Sequence, residues 1–367
     1  MRSKLTIQDV ARLAGVSKAT VSRVINQKTN VNPDTRERVL RVINEKGFVP
    51  SITASGLAGK KSRLIGVLAP PFTSPFVPEI MRGVAEVMEQ SAYEMVLYSI
   101  NPQHRHGDAL DRIIGMRLTA GLLVILPGQL SRHLTDMHDH GLPIVVIDDQ
   151  GPFIDLPWIG IDNRNSAYQA TRHLIKLGHR RIAHLEGPTS HRCTAERYEG
   201  YVQALLEANI TPDPRLVVQG EFLVEGGRAC GETLFSMSSR ERPTAIFSAN
   251  DQMAFGLMEV AAERGICIPD DIAIVGFDDM PLSAYIRPTL TTVRQPFYEM
   301  GRVAIELLLC FIDSAFSTGE KAREWDIPLS LLSAIRGGMH EPIRYQLPTR
   351  LIVRESCGAK QPLPLSG

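Results

Sequence analysis

No apolar run in this chain of 367 residues is long enough to cross a membrane. The longest runs, GLLVIL and PIVVI, have the length of a β-strand, whereas a transmembrane helix needs about 20 apolar residues. The first residues, MRSKLTIQ, also lack the apolar segment of a secretory signal peptide. We therefore expect a cytoplasmic protein without a membrane partner.

Cysteine is scarce and scattered. The five cysteines form no CxxC pair, which argues against both a disulfide framework and a zinc motif. Histidines at 104, 106, 138 and 140 could bind a metal ion, but no cysteine or carboxylate cluster accompanies them. We predict no metal site and no cofactor.

The chain has no net charge, yet its charge is unevenly spread. Residues 1–62 contain 12 Lys and Arg against 4 Asp and Glu, a net charge of +8. Because the whole chain has 40 residues of each kind, the remainder carries −8. A basic N-terminal segment on an acidic body suggests that only this segment meets a polyanion.

Two helical patterns lie close together in TIQDVARLAGVSKATVSRVINQ, residues 6–27. Thr6 and Asp9 form a capping-box pattern, and apolar residues follow at helical spacing. Gly15 suits the left-handed residue after a helix, and Ser17 can cap the next one. Two helices joined by such a tight turn predict a helix-turn-helix.

The second predicted helix has a small polar outer face. Its apolar residues Val21, Val24 and Ile25 would face inward, which leaves outside Lys18, Ala19, Ser22, Arg23 and Asn26. Such a face fits the major groove, where guanine offers acceptors to Arg and Lys. A third helix, capped by Asn32 and ended by Gly47, would complete the domain.

This N-terminal segment, continued by NPDTRERV and GFVP, resembles the lactose-repressor (LacI-type) family of bacterial transcription regulators. The resemblance implies that Lys18, Ala19 and Arg23 reach base edges, while phosphates are contacted by Ser17, Thr20, Ser22 and Asn26. The full set of DNA-binding residues that we expect from it is Thr6, Ser17, Lys18, Ala19, Thr20, Ser22, Arg23, Asn26, Asn30 and Leu57.

The segment 51–62 has the small-residue composition of a linker, and Gly56 and Gly59 disfavour a stable helix. The resemblance implies instead a hinge helix that forms on DNA, with Leu57 wedged into the minor groove. Gly56 and Thr53 stand where larger residues are common in the family, which predicts a weaker hinge helix. An unstructured tether stays open.

From Leu64 onward, continuous apolar strands alternate with helices, which predicts parallel sheets covered on both faces. The strand WIGID starts a second series, so we expect two similar lobes with a ligand cleft at the strand ends. The fold class is thus α/β, an N-terminal three-helix helix-turn-helix domain plus a two-lobed core of parallel sheets. The predicted boundaries are 1–50 for the helix-turn-helix domain, 51–62 for the hinge, 63–160 and 292–325 for the N-terminal lobe, 161–291 and 326–356 for the C-terminal lobe, and 357–367 for a tail.

Polar residues stand at the ends of several predicted strands. We interpret Asp251 and Asp279 as helix caps, and expect ligand contacts from Asp148, Arg197, Asn250 and Asp278. Motifs such as GHRRIAHLEG, NDQMAFGLM and PTLTTVRQP resemble the periplasmic-binding-protein-like core of the same family. That resemblance implies an effector site of Ser74, Phe76, Asp148, Arg197, Phe222, Asn250, Asp278 and Gln295.

Three departures from the family pattern stand out in the body. Asp149 replaces a frequent arginine, and SPFV at 74–77 replaces a common NPFF, so the ligand's identity stays open. The acid at 149 argues against a strongly anionic effector, whereas Arg197 still allows a carboxylate. Residues 314–346 form an insertion that we expect on the surface. No leucine heptad follows Glu355, so a tetramerisation coil is not predicted.

We predict a homodimeric repressor that binds a pseudo-palindromic duplex and is released by a sugar-like effector. A corepressor-dependent regulator that binds a purine is the alternative. A transport-type binding protein conflicts with the basic segment and the missing signal peptide. An enzyme on the same lobes is disfavoured because GxxxxGK[ST] and GxSxG are both missing.

Replacing Leu57 by alanine should weaken operator binding and reduce DNA bending, because the apolar wedge that unstacks a base step is lost. Gel mobility of circularly permuted operator fragments measures the bend. A bend equal to that of the unmodified chain would contradict the wedge.

Overall fold

The structure is a computed structural model, and it describes residues 5–25, 30–48, 62–71, 74–99, 119–126, 131–148, 155–313 and 343–359. The chain divides into two compact units, Met1–Ser62 and Arg63–Gly367. Within the described ranges, no helix is both long and apolar enough to cross a membrane.

Among its described residues, the N-terminal unit contains three helices, α1 (Ile7–Ala14), α2 (Lys18–Ile25) and α3 (Pro33–Lys46). Thr6 and Asp9 form the predicted capping box, and the amide of Thr20 donates to Ser17 Oγ at 3.1 Å. Gly15 and Gly47 end their helices in the left-handed conformation, with φ of 65° and 60°. A small core holds the helices together through Val10, Ala11, Ala14, Val21, Val24, Val39 and Phe48.

In the second unit, the described strands form two six-stranded sheets of equivalent order. The last strand is parallel to its neighbour in the first sheet and antiparallel in the second. The first sheet has the order β2-β1-β3-β4-β5-β11. Its strands are β1 (Leu64–Ala69), β2 (Glu94–Ser99), β3 (Gly121–Ile125), β4 (Ile144–Ile147), β5 (Trp158–Ile161) and β11 (Arg344–Leu347). The described helices of this lobe are α4 (Val77–Glu89), α5 (Ser131–Asp139) and α10 (Phe297–Ile312). We call this sheet and its helices the first lobe.

The second sheet has the order β7-β6-β8-β9-β10-β12. Its strands are β6 (Ile182–Glu186), β7 (Val217–Gln219), β8 (Ala245–Ser248), β9 (Ala273–Asp278), β10 (Thr291–Arg294) and β12 (Arg350–Ile352). The helices of this second lobe are α6 (Asn163–Lys176), α7 (Arg192–Glu207), α8 (Val224–Phe235) and α9 (Asp251–Glu263). Short 3-10 turns occur at Pro214–Leu216, Pro281–Ala284 and Glu355–Cys357.

Strand pairing corrects several predicted lobe assignments. WIGID does not begin the second series, because β5 pairs in parallel with β4 and β11. LTTVR, expected in the first lobe, forms β10 and pairs with β9 of the second. The predicted C-terminal lobe segment 326–356 and the predicted surface insertion both include β11, which pairs in the first sheet instead. Alternating strands and helices predict that the strands pair in parallel. They do not show which sheet each strand joins.

The chain crosses between the lobes three times, at Asp162, at Gln295–Pro296 and at Pro348–Thr349, where one sheet's strand is followed by an element of the other lobe. The predicted tail also begins too early. Cys357 is buried, and its thiol lies 3.3 Å from His173 Nε2 on α6.

Asp251 does not cap a helix, contrary to our interpretation, because Asn250 occupies the cap of α9. The Asp251 carboxylate is fully buried and accepts hydrogen bonds from Met280 N–H, Ser283 Oγ and Thr292 Oγ1, at 2.6 to 2.8 Å. It thereby joins β10 and the turn after β9 to α9. Burial and the nearby Asp278 charge raise the pKa of Asp251 to about 7, against the lowering effect of these hydrogen bonds.

A carboxyl whose pKa is raised in the folded state stabilises the fold below its unfolded pKa near 4, and this contribution is lost as pH rises towards 7. Asp251→Asn should therefore flatten the pH dependence of the free energy of unfolding across that range, by up to about 1.4 kcal/mol per pH unit. Urea denaturation at pH 5, 6, 7 and 8 measures it, with the exposed Asp270→Asn as control. Equal pH slopes in the unmodified chain and the Asp251 variant would refute the assignment.

Candidate functional site

The N-terminal unit presents an open groove beside α2, lined by Val16, Ser17, Thr20, Arg23, Asn30, Val31, Asn32 and Thr35. Ser17 and Thr20 hydroxyls lie 2.9 Å apart, so both are held at the start of α2. Polar hydroxyls, an amide and one guanidinium around a helix N-terminus form an arrangement suited to phosphate.

The predicted base-reading residues are exposed on α2, namely Lys18, Ala19 and Arg23. Ser22 is half-buried beside them, and Asn30 is exposed at the groove. The Thr6 hydroxyl is already used, because it donates to Asp9 Oδ2 at 2.7 Å within the capping box. Two of the predicted DNA-binding residues, Asn26 and Leu57, lie outside the described residues.

In the second unit, the predicted effector residues sit where strands end. Asp148 follows β4 of the first lobe, Asp278 ends β9 of the second, and Phe222 follows β7. All three have positive φ, at 48°, 118° and 58° respectively. Non-glycine residues seldom adopt such angles, and strained backbone concentrates at functional sites. The strain marks this region independently of any resemblance.

Arg197 on α7 is buried and engaged on three sides. Its Nε donates to Asn163 Oδ1 at 2.9 Å, and its Nη1 donates to the Ala249 carbonyl at 2.5 Å. Its Cζ lies 3.8 Å from the centroid of the Phe277 ring, a cation–π contact. The guanidinium is thus fixed before any ligand arrives, which is the condition for specific recognition.

Asp278 and Gln295 meet at the second crossing, where Gln295 Nε2 donates to Asp278 Oδ1 at 2.7 Å. Burial raises the pKa of Asp278 to about 6. Arg197 and the Gln295 hydrogen bond lower it, whereas Asp148 raises it. The charges of Asp148, from the first lobe, and Arg197, from the second, thus both act on the carboxyl group of Asp278.

An aromatic wall lies on the second-lobe side. The ring of Phe222 covers Gly187, where a Cβ atom would come within 2.0 to 2.5 Å of the ring. His191 packs edge-on against the same ring, with centroids 5.5 Å apart. Asn250 is less available than expected, because its amide caps α9 through Met253 N–H and also donates to the Phe222 carbonyl.

The two predicted contacts from the first lobe differ in their surroundings. Phe76 is not a free loop residue, since it precedes α4 directly and stacks on Phe297 at 5.5 Å. Ser74 is half-buried in the turn before it, with its amide bonded to the Pro71 carbonyl. Phe76 therefore packs first against its own lobe.

Sequence reasoning missed the residues that hold the arginine. Asn163 Nδ2 donates to Glu196 Oε2 at 3.1 Å, and its Oδ1 accepts from Arg197. Asp279, interpreted as a cap, instead accepts from Arg294 and Arg354. In the sequence, an acid that caps a helix and an acid that is buried can both follow a strand. Only the three-dimensional structure distinguishes the two roles.

Comparisons with known proteins agree with this geometry. Residues 6–51 match the lacI family of bacterial regulatory proteins, and residues 171–325 match the periplasmic-binding-protein-like domain. Catabolite control protein A of Priestia megaterium is 34% identical over 314 residues, 84% of this chain and 93% of the relative. The chain belongs to the LacI family of bacterial regulatory proteins. The predicted family and fold class are confirmed.

Other relatives of this LacI-family protein include transcriptional repressors. PurR of Vibrio atlanticus (strain LGP32) is 38% identical over 83% of this chain and 91% of the relative. A Lac repressor dimer bound to operator and the anti-inducer ONPF aligns with a TM-score of 0.78 at 27% identity, over 96% of this chain and 99% of that one. A CelR–cellobiose complex aligns with a TM-score of 0.66 at 30% identity, over 96% of this chain and 99% of that one. The protein is a ligand-responsive, DNA-binding transcriptional repressor.

Replacing Arg23 by alanine should cost roughly 1–3 kcal/mol on the preferred site and relax base choice at one position, because a bidentate contact to guanine is lost. Selection from a randomised operator library measures the preference. Arg12→Ala is the control, since Arg12 is also exposed but pairs with Asp9 on α1. An unchanged base preference in the Arg23 variant would refute its role.

Proposed function

We propose that this repressor binds a pseudo-palindromic operator as a homodimer and responds to a sugar-like effector held between its two lobes. The observation that carries the proposal is the group formed by Asp148, Arg197 and Asp278, which joins a strand end of one lobe to a helix and a strand end of the other. A ligand that bridges such groups stabilises one arrangement of the lobes over another.

On the DNA side, we propose that Lys18, Ala19 and Arg23 read base edges. The groove residues Ser17, Thr20 and Asn30 would contact phosphates, with Ser22 and Thr6 beside them. Their exposure on α2 and around its N-terminus supports this division. Two copies would read half-sites about one helical turn apart, as dimeric helix-turn-helix proteins do.

For the effector, a carbohydrate is our first choice. The site combines buried carboxylate, amide and guanidinium groups with the Phe222 ring, a set that suits vicinal hydroxyls on an apolar ring face. The related CelR was solved with cellobiose, which supports the choice. We propose induction, in which the ligand lowers operator affinity. A purine corepressor is the second candidate, favoured by the likeness to PurR.

A homodimer is supported by exposed apolar side chains on both lobes. On the edge strand β2, Met95 and Leu97 are exposed, and in the second lobe so are Leu223, Leu282 and Tyr285. Exposed apolar residues that lie together, as Met95 and Leu97 do at alternate positions of β2, mark surfaces suited to association. We further propose a cytoplasmic location, where operator DNA and free metabolites are both available.

A thermal-shift screen against sugars and purine bases, followed by operator binding with each hit, tests the proposal. A ligand at 100 times its dissociation constant should add about 2.7 kcal/mol to the free energy of unfolding. A sugar that stabilises the chain and lowers operator affinity supports induction. A purine that raises operator affinity supports the second candidate, and a screen without hits contradicts both.

Replacing Arg197 by alanine should abolish the thermal shift and the change in operator affinity, because the fixed guanidinium no longer meets the ligand. Operator affinity without ligand should stay within about threefold, since the two units are distinct. Arg164→Ala, an exposed change on α6 of the same lobe, is the control. A normal ligand response in the Arg197 variant would rule out this site.

A further inference from the structure

Trp158 packs in a core cluster of the first lobe, next to the strand that leads to Asp148. It begins β5 and pairs with Val146, two residues before Asp148, whose amide donates to the neighbouring Ile159 carbonyl at 2.9 Å. Its ring lies over Gly160, where a Cβ atom would come within 2.1 to 2.8 Å of it. The glycine therefore makes room for the indole beside the first crossing.

The second lobe meets this indole through Arg192, the first residue of α7. The Arg192 Cζ lies 5.7 Å from the centroid of the Trp158 ring, a contact between the two lobes. Arg192 Nε pairs with Glu196 at 3.1 Å, and Glu196 also accepts from Asn163, which holds Arg197. Trp158 thus borders the same connected group of side chains as the proposed effector residues.

Two buried polar atoms at this group lack a hydrogen-bond partner among the described residues. One is Trp158 Nε1, on a residue that is 5% exposed. The other is Gln295 Oε1, on a residue that is 7% exposed, whose amide nitrogen is bonded to Asp278. An unpaired buried donor or acceptor is costly, so each favours a ligand that satisfies it.

The charges of the group disfavour an anion. Cys193 belongs to this group. Burial raises the pKa of its thiol, and the charges of Arg197, Asp148, Asp278 and Glu196 also act on that pKa. With Arg192, the group therefore contains three carboxylates against two guanidinium groups, and both arginines are already engaged. A phosphate or carboxylate on the ligand would have to displace these partners beside three like charges.

We propose that the effector is an uncharged molecule that accepts a hydrogen bond from the Trp158 indole N–H and donates one to the Gln295 side-chain carbonyl. Phosphorylated and carboxylated counterparts of the same molecule are excluded. This inference rests on the proposed function, because it places the effector between the lobes. An uncharged effector replaces the expectation from the sequence that Arg197 could bind a carboxylate group on the ligand.

The test uses the full chain with Trp325→Phe, which leaves Trp158 as the single tryptophan. The probes are matched pairs: cellobiose with cellobionate, ribose with ribose 5-phosphate, and inosine with inosine 5′-monophosphate. Thermal shift reports binding, and tryptophan emission reports whether the ligand reaches Trp158. We expect the uncharged member of one pair to bind at least about tenfold more tightly than its anionic partner and to change the emission.

Trp158→Phe in the otherwise unmodified chain keeps an aromatic side chain but removes the N–H donor, together with part of the indole ring. It should weaken binding of the uncharged ligand about tenfold, because the ligand's acceptor is left unpaired. Asp148→Asn, which removes one carboxylate, should reduce the difference in binding affinity between the uncharged and anionic members of a pair. Melting temperatures without ligand show whether each variant is folded.

Equal or tighter binding of the anionic members would overturn the charge argument. Binding without an emission change, and with full affinity in the Trp158 variant, would overturn the role of Trp158. Both results leave the proposed function standing. A panel in which no probe shifts the melting temperature contradicts the proposed effector class itself, and this inference falls with it.

Discussion

Parallel pairing is the constraint on which the effector site depends. In a parallel sheet, all carboxyl ends lie at one edge, and side chains there are free of the ladder while the strands themselves are buried. This chain builds two sheets of equivalent order, parallel except for the antiparallel strand β12 of the second, and joins them by three crossings along its described residues. The charge of Asp148 at the end of one sheet therefore acts on Asp278 at the end of the other. Neither lobe alone would bring these carboxylates together.

Hydrogen bonds from residues at the crossings hold the site residues of the second lobe. Asn163, immediately after the first crossing, holds Arg197 and Glu196, and Gln295, at the second crossing, holds Asp278. A ligand that changes these contacts acts directly on the segments about which the lobes can move. Hinges are commonly such element-terminal residues. A coupling of 1–3 kcal/mol between ligand and DNA, typical of allosteric proteins, needs only a few contacts of this kind.

Local structure could be predicted from the sequence wherever a residue type favours a single conformation at its position. The Thr6–Asp9 capping box, the left-handed Gly15 and the Asn32 cap are such cases. The strand segments were also predictable, because runs such as LIGVLA and AIVGF are apolar throughout and almost completely buried. Polar residues near strand ends supplied four candidate effector residues, Asp148, Arg197, Asn250 and Asp278. The resemblance to the family added Ser74, Phe76, Phe222 and Gln295.

The sequence could not show which strands pair with one another or which side chains form hydrogen bonds. β5, β10 and β11 look like any other short strand, and only pairing shows which sheet each joins. Asn250 and Asp251 are adjacent polar residues at a helix start, yet one caps the helix and the other is a buried hydrogen-bond acceptor. Trp158 carries no motif, and its position beside Arg192 depends on the contact between lobes.

The central claim is that one small molecule, bound between the lobes, governs how tightly the N-terminal unit holds a specific duplex. The most direct measurement is fluorescence anisotropy of a labelled palindromic operator titrated with the full chain at fixed salt, with and without saturating ligand from the screen. The account predicts that the operator is bound at least roughly 10³-fold more tightly than random DNA, and that the ligand changes this affinity about fivefold or more. Equal affinity for both duplexes, unaffected by ligand, would contradict it.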